Sequence, residues 1–318
     1  MMSASATIAT ANRASVSEQS EEQKMVKKVA VSSFLGNFIE WFDYASYSYF
    51  ATTIALVFFP SGNHTVAMLQ TFGVFALSFV LRPIGALFWG NFGDKKGRKG
   101  ALAISIMFMS GASFLIGCLP SYAAIGIFAP ALLLLLRMVQ GFSASGEYAG
   151  AATFLGEYAP TKKRGIYCSL IPASTAIGLL VGSTLATVMT ASLSSDALTS
   201  WGWRIPFLMA GPLGLIVHFI RTKLADSPVY ASMTEALDDK QQFASTTKSV
   251  SPLRELFQNH FKTLVISFGA CVLNAVGFYT VLTYLPHLSE RHGWHGCRTV
   301  VHHHTICLVL YVALVFGM

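Results

Sequence analysis

Apolar residues in this chain fall in long, nearly unbroken runs rather than in alternating or heptad patterns. Six such runs cover approximately residues 28–59, 68–92, 101–119, 125–157, 166–189 and 205–220. Most of them match or exceed the about 20 residues that a helix needs to cross a bilayer, so the pattern predicts six spanning helices. The fourth run is longer than a crossing requires. A polar stretch at 221–261 follows, too long for an ordinary tight connection. Within it, residues 252–261 predict a short amphipathic helix lying at a membrane surface. A seventh run covers 262–285, and a last apolar run covers 305–318. Residues 1–27 are rich in Ser, Ala, Thr and Glu and have no apolar core, so they read as a disordered cytoplasmic tail rather than a signal peptide. Four regions result: the tail 1–27, a six-helix half 28–220, a cytoplasmic central loop 221–261, and the start of a second half, 262–318.

Composition strengthens this picture. Of 318 residues, 53% are hydrophobic and 12% charged, which excludes an ordinary soluble globule. The net charge of +7 does not point to nucleic acid, because the basic residues alternate with apolar runs instead of forming one patch. With the N-terminus inside, Lys and Arg gather in the inner segments, while the outer loops 60–67, 119–124 and 190–203 hold none. The positive-inside rule then predicts a multi-pass protein of the cell membrane with a cytoplasmic N-terminus. Trp201 and Trp203 fall at the outer interface in this orientation. The five cysteines are scattered and predict no disulfide framework.

Charge also singles out one loop. Residues 90–99 read Gly-Asn-Phe-Gly-Asp-Lys-Lys-Gly-Arg-Lys between two spans, a short cationic connection that forces a tight helical hairpin. Asp94 is placed to cap a helix start or to pair with Arg98. Ionisable groups inside the apolar runs are the other exception. Each costs at least roughly 2.5 kcal/mol at a bilayer centre and defaults to a functional role. On span one, Ser33, Gly36, Asn37, Glu40, Asp43, Tyr44 and Tyr47 share an arc of about 120°, opposite Phe38, Trp41, Phe42 and Ala45. On span four, Arg137, Gln140, Gly141, Ala144, Glu147 and Tyr148 follow the spacing of one helical face. Arg82 in span two precedes Pro83, which predicts a kink. Three acids (Glu40, Asp43, Glu147) therefore face two arginines (Arg82, Arg137). A buried carboxylate among cations can load and release a proton as its surroundings change. The plainer alternative is that internal ion pairs tie up the acids.

The 90–99 loop resembles the connection between helices 2 and 3 of the major facilitator superfamily. Residues 38–43 (Phe-Ile-Glu-Trp-Phe-Asp), 82–85 (Arg-Pro-Ile-Gly), 137–141, 146–148, 157–165, 201–207 and 226–228 resemble its metabolite:proton symporter branch over about residues 28–286. The resemblance implies an all-α membrane protein of two six-helix halves, whose helices 1, 4, 7 and 10 line a cavity facing each side in turn. It implies the loop residues Gly90, Asp94, Lys95, Gly97, Arg98 and Lys99 as a conformational switch. Asn37, Glu40, Asp43, Tyr44, Arg82, Arg137, Gln140 and Glu147 become proton-coupling or substrate-binding candidates, and Asn274 and Tyr279 add candidates from span seven.

The chain departs from that pattern between 287 and 305 and reaches only about one and a half helices into the second half, so it reads as truncated, with no accumulation of substrate expected from these residues alone. His292, His295, Cys297 and His302–His304 have no established zinc spacing, and no metal is expected. No cofactor, nucleic-acid partner, nucleophile–base pair or phosphate loop is expected either. The favoured function is proton-coupled symport of a small zwitterion such as proline or glycine betaine, across a lipid bilayer. The alternatives are a 2-oxoglutarate-like dicarboxylate permease and a non-functional remnant. Two arginines could clamp a dicarboxylate, while Glu40 with Trp41 and Tyr44 could hold a quaternary ammonium group. The oligomeric state is left open.

Overall fold

The computed structural model describes residues 2–60, 62–224, 232 and 252–279. Every regular element among them is helical. The first span is α1 (Met2–Tyr49) with α2 (Ala51–Phe58), and the second is α3 (His64–Val80) with α4 (Arg82–Lys96). The third is α5 (Arg98–Cys118), and the fourth combines α6 (Tyr122–Ile125), α7 (Phe128–Ala144) and α8 (Glu147–Tyr158). The fifth joins α9 (Arg164–Cys168) to α10 (Leu170–Ser192), and the sixth joins α11 (Ser195–Ala197) to α12 (Arg204–Thr222). Helices Pro252–Asn259 and Phe261–Tyr279 follow. Spans two to six are long and apolar enough to cross a membrane. Span one falls short on apolarity because Ser, Asn, Glu and Asp interrupt it, and it compensates by lying deep in the bundle.

The breaks between these pieces have local causes. Asn63 caps α3, its side chain accepting from the Thr65 N–H at 2.9 Å. Pro83 sits in the first turn of α4, where its missing N–H is tolerated, and the second span breaks just before it at Leu81. Gly97 adopts φ 93° between α4 and α5, a conformation strained for any side chain. This turn makes the hairpin of residues 90–99 possible.

α12 packs along α5, α1 along α10, and both α3 and α4 lean on α7. Small residues set these approaches. A Cβ on Gly178 of α10 would stand 2.9 Å from the Phe38 carbonyl oxygen, and one on Gly182 would stand 2.6 Å from Ala45 Cβ. Gly146 meets Trp89 the same way at 2.6 Å. Apolar side chains form three clusters along the bundle axis. One holds Tyr47, Phe50, Phe58, Trp203 and Phe207. The second holds Ile39, Ile106, Met109 and Val217, and the third holds Val29, Leu102, Phe154 and Ile171.

Three expectations change. Residues 2–27 continue α1 as helix rather than forming a disordered tail; their Ala, Gln and Glu are strong helix formers. Arg221 is not a loop residue: α12 runs on to Thr222, and Arg221 is 1% exposed. Trp203 does not turn its ring outward from the bundle but is buried, edge-on to Phe58 at 5.4 Å, whereas Trp201 is exposed. Of the two roles expected of Asp94, the pairing with Arg98 is found, at 3.7 Å, while the residue lies inside α4 and caps no helix start. Residues 280–318, with the altered 287–305 segment and the last apolar run, lie outside the described residues.

Candidate functional site

α1 carries the site. Its polar positions recur every three or four residues, so Asn37, Glu40, Asp43, Tyr44 and Tyr47 all turn into the bundle and are buried. Asn37 ties α1 to α10: its amide donates to the Ile171 carbonyl at 3.0 Å and to the hydroxyls of Ser174 and Thr175 at 2.8 and 2.9 Å. That fixes the rotation of α1. Its Oδ1 is buried and has no hydrogen-bond partner among the described residues.

Three residues further on, Glu40 Oε1 takes an ion pair from Arg82 at 2.5 Å and a hydrogen bond from the Tyr44 hydroxyl at 3.0 Å. The break before Pro83 is what swings Arg82 inward from α4. Its guanidinium lies over the rings of Phe79 (4.7 Å) and Tyr44 (5.2 Å). Asp43 pairs through Oδ2 with Arg137 of α7 at 2.7 Å. The same Nη1 also donates to Gln140 Oε1 at 2.7 Å, and Gln140 donates to the Ser113 hydroxyl on α5 at 2.6 Å. Arg137 additionally stands 3.9 Å above the Tyr47 ring. Five buried polar atoms of these two ion pairs have no hydrogen-bond partner among the described residues: Glu40 Oε2, Asp43 Oδ1, Arg82 Nε, and Arg137 Nε and Nη2. Each such atom costs about 1–3 kcal/mol, a cost tolerated where a ligand or proton can supply the missing partner.

Glu147 belongs elsewhere. The sequence aligns it with Arg137 and Gln140, and all three are buried. Its carboxylate, however, is taken by both Nη atoms of Arg221: Nη1 donates to Oε2 at 2.8 Å and Nη2 donates to Oε1. Arg221 also donates to the carbonyls of Leu102 (2.7 Å) and Ser32 (3.2 Å). Neither residue has an unpartnered buried side-chain atom. Sequence reasoning missed Arg221, because it ends an apolar run two residues before Lys223 and counts there as a loop cation. The readable signal was Glu147 itself, a third acid in need of a third arginine. Tyr148, on the same expected face, is exposed at 43%.

At the hairpin, Arg98 bridges Glu157 at the end of α8 (3.1 Å) and Asp94 (3.7 Å). Gly93 is buried against Ala101. The loop thus joins spans two, three and four at one end of the bundle. Asn274 and Tyr279 fall on the Phe261–Tyr279 helix, but their side chains lie outside what is described. No cluster of metal-ligating side chains is found among the described residues.

Comparison with known proteins agrees with this architecture. The family model described as "Sugar (and other) transporter" matches residues 28–253. The chain is 38% identical over 275 residues to the glycine betaine/proline/ectoine/pipecolic acid transporter OusA of Dickeya dadantii, covering 84% of this chain and 55% of the relative. Against the proline/betaine transporter of Salmonella typhimurium the identity is 37%, with the same coverage. The chain spans about half the length of the curated relatives it matches. A solved major facilitator proton:xylose symporter, XylE, bound to 6-bromo-6-deoxy-D-glucose, superposes with a TM-score of 0.69 at 15% identity, covering 92% of this chain and 68% of that one. That likeness is one of fold.

Proposed function

Because the chain belongs to the sugar (and other) transporter family of the major facilitator superfamily, and is thus a multi-pass membrane protein of a transporter family rather than an enzyme, we propose that its six-helix bundle handles proton and substrate in a symporter of small zwitterions such as proline or glycine betaine. The names of the relatives support the substrate class. The observation that carries the reading is the incomplete pairing of Glu40 and Asp43. Each acid holds an arginine through one oxygen and leaves the other oxygen without a partner.

The two carboxylates divide the work. Asp43 is the proton-holding group. When it is protonated, its ion pair with Arg137 weakens, and Arg137 keeps Gln140 Oε1 and the face of Tyr47. Glu40, beside the more open Arg82, meets the substrate. Proton and substrate binding are then coupled and reciprocal, so a proton held in the cluster raises substrate affinity. The Gly97 hairpin and its Arg98–Glu157 bridge serve as the contact that opens and closes with the cavity. On this reading the N-terminus and the segments 94–99, 158–165 and 221–261 are cytoplasmic.

The unpartnered Arg137 N–H groups favour one competing reading, a dicarboxylate permease. Equilibrium binding to the purified chain in lipid nanodiscs separates the two. Labelled proline and glycine betaine are expected to bind saturably, more tightly at mildly acidic than at mildly alkaline pH. Preferential binding of 2-oxoglutarate, or zwitterion binding indifferent to pH, overturns the proposal.

A further inference from the structure

Arg82 is the least enclosed member of the buried cluster. Its side chain is 27% exposed, against 3% for Glu40, 1% for Arg137 and 2% for Asp43. It is also held differently. Arg137 is gripped by Asp43 and by Gln140, a residue of its own helix. Arg82 is held through one contact to Glu40 and otherwise rests on aromatic faces, those of Phe79 and Tyr44. Those faces are themselves braced. Tyr44 stands edge-on to Phe75 at 5.6 Å and to Trp41 at 5.7 Å, and Phe75 stands edge-on to Phe79 at 5.1 Å. A carboxylate beside converging aromatic faces is the chemistry that recognises a quaternary ammonium group. Here an arginine side chain fills it.

We propose that Arg82 is a tethered occupant of a cation site made by Glu40, Tyr44 and Phe79, and that an N-alkylated ammonium zwitterion displaces it. This rests on the zwitterion reading above and specifies how the site selects within that class. The exchange conserves pairing. The incoming ammonium takes the Glu40 carboxylate and the aromatic faces, and the released guanidinium takes the incoming carboxylate. A cation without a carboxylate leaves Arg82 buried without an anion. A carboxylate without a cation gives Glu40 nothing in return for Arg82. The tether thereby rejects both half-substrates, and no bond is made or broken covalently.

The test uses the full chain in lipid nanodiscs and three probes of nearly one shape: glycine betaine, choline, which lacks the carboxylate, and 3,3-dimethylbutyrate, which lacks the charge on the head. Wild type is expected to bind glycine betaine well ahead of the other two. In Arg82→Gln the resident cation is gone, so choline gains on glycine betaine by about tenfold or more, the scale of one lost charge-assisted contact. Phe79→Leu, a change on a half-exposed face that spares the ion pairs, lowers glycine betaine affinity about fivefold and leaves 3,3-dimethylbutyrate unmoved. An unchanged choline-to-betaine ratio in Arg82→Gln, or equal losses for both probes in Phe79→Leu, overturns the proposal. Wild type that binds proline but not glycine betaine also overturns it while the symport reading stands. Failure to bind any zwitterion overturns both.

Discussion

Two buried acid–arginine assemblies border α1 and differ in how fully they are paired. Between Glu147 and Arg221 every buried side-chain atom is paired, two of the contacts joining the partners directly and two running to the carbonyls of Leu102 and Ser32. In the Glu40–Arg82 and Asp43–Arg137 cluster, five buried atoms have no partner among the described residues. A saturated pair has a single low-energy arrangement, because any movement loses contacts and gains none. An unsaturated pair has bonding capacity left over for a proton or a ligand. Burial and charge alone do not distinguish the two assemblies; completeness of pairing does.

The sharpest way to break that contrast is to remove one partner of the saturated pair. Glu147→Ala should destabilise the bundle by about 3–5 kcal/mol, the cost of an uncompensated buried charge, seen as loss of folded protein in detergent. Replacing both partners, as Glu147→Met with Arg221→Met, should recover most of that loss, since apolar residues of similar size substitute well for a buried pair. A double variant as unstable as the single one would assign Glu147 and Arg221 a role beyond fastening.

The next effect is on packing. Gly178→Leu should push α1 off α10 and cost about 1–3 kcal/mol through overpacking, read by thermal unfolding, and should weaken substrate binding because Asn37 loses its hold on α10. The unsaturated cluster should respond mainly in function. Asp43→Asn keeps an oxygen for Arg137 but removes its anion, so it is expected to cost about 1–3 kcal/mol and to abolish the pH dependence of glycine betaine binding. Retention of that dependence would remove Asp43 as the proton carrier and leave Glu40 as the next candidate. Smallest of all, Arg98→Gln at the half-exposed hairpin bridge should cost about 1 kcal/mol or less; its expected signature is altered labelling of a cysteine placed at Lys96, with the fold intact.

Much of this was legible in the sequence. The spans follow from runs of apolar residues, and Glu40, Asp43, Arg82, Arg137 and Gln140 stand out because ionisable and amide groups there have no cheap reason to exist. The break at Pro83 was readable from its missing N–H. Pairing was not. Glu147 meets Arg221 across 74 positions, and no spacing rule spans that distance, since the geometry comes from α8 and α12 converging on α1. Trp203 misled for a related reason: an indole at the end of a span suits an interface equally well until Phe58 is seen to cover it. The helical continuation of α1 into residues 2–27 was obscured by polarity, a measure of burial that says little about backbone preference.

α1 also works as a ruler. The Ser32 carbonyl receives Arg221, Gly36 lies against the Glu147–Arg221 pair, Asn37 reaches α10, Glu40 reaches Arg82 and Asp43 reaches Arg137. These marks are spread over about 16 Å of helix at 1.5 Å per residue, and each is read by a different neighbour. One residue inserted after Asn37 would turn everything beyond it by about 100°, taking both carboxylates off their arginines while leaving composition and hydropathy nearly unchanged. Between Ser32 and Asp43 the chain is therefore far less tolerant of a change in length than of a change in side chain.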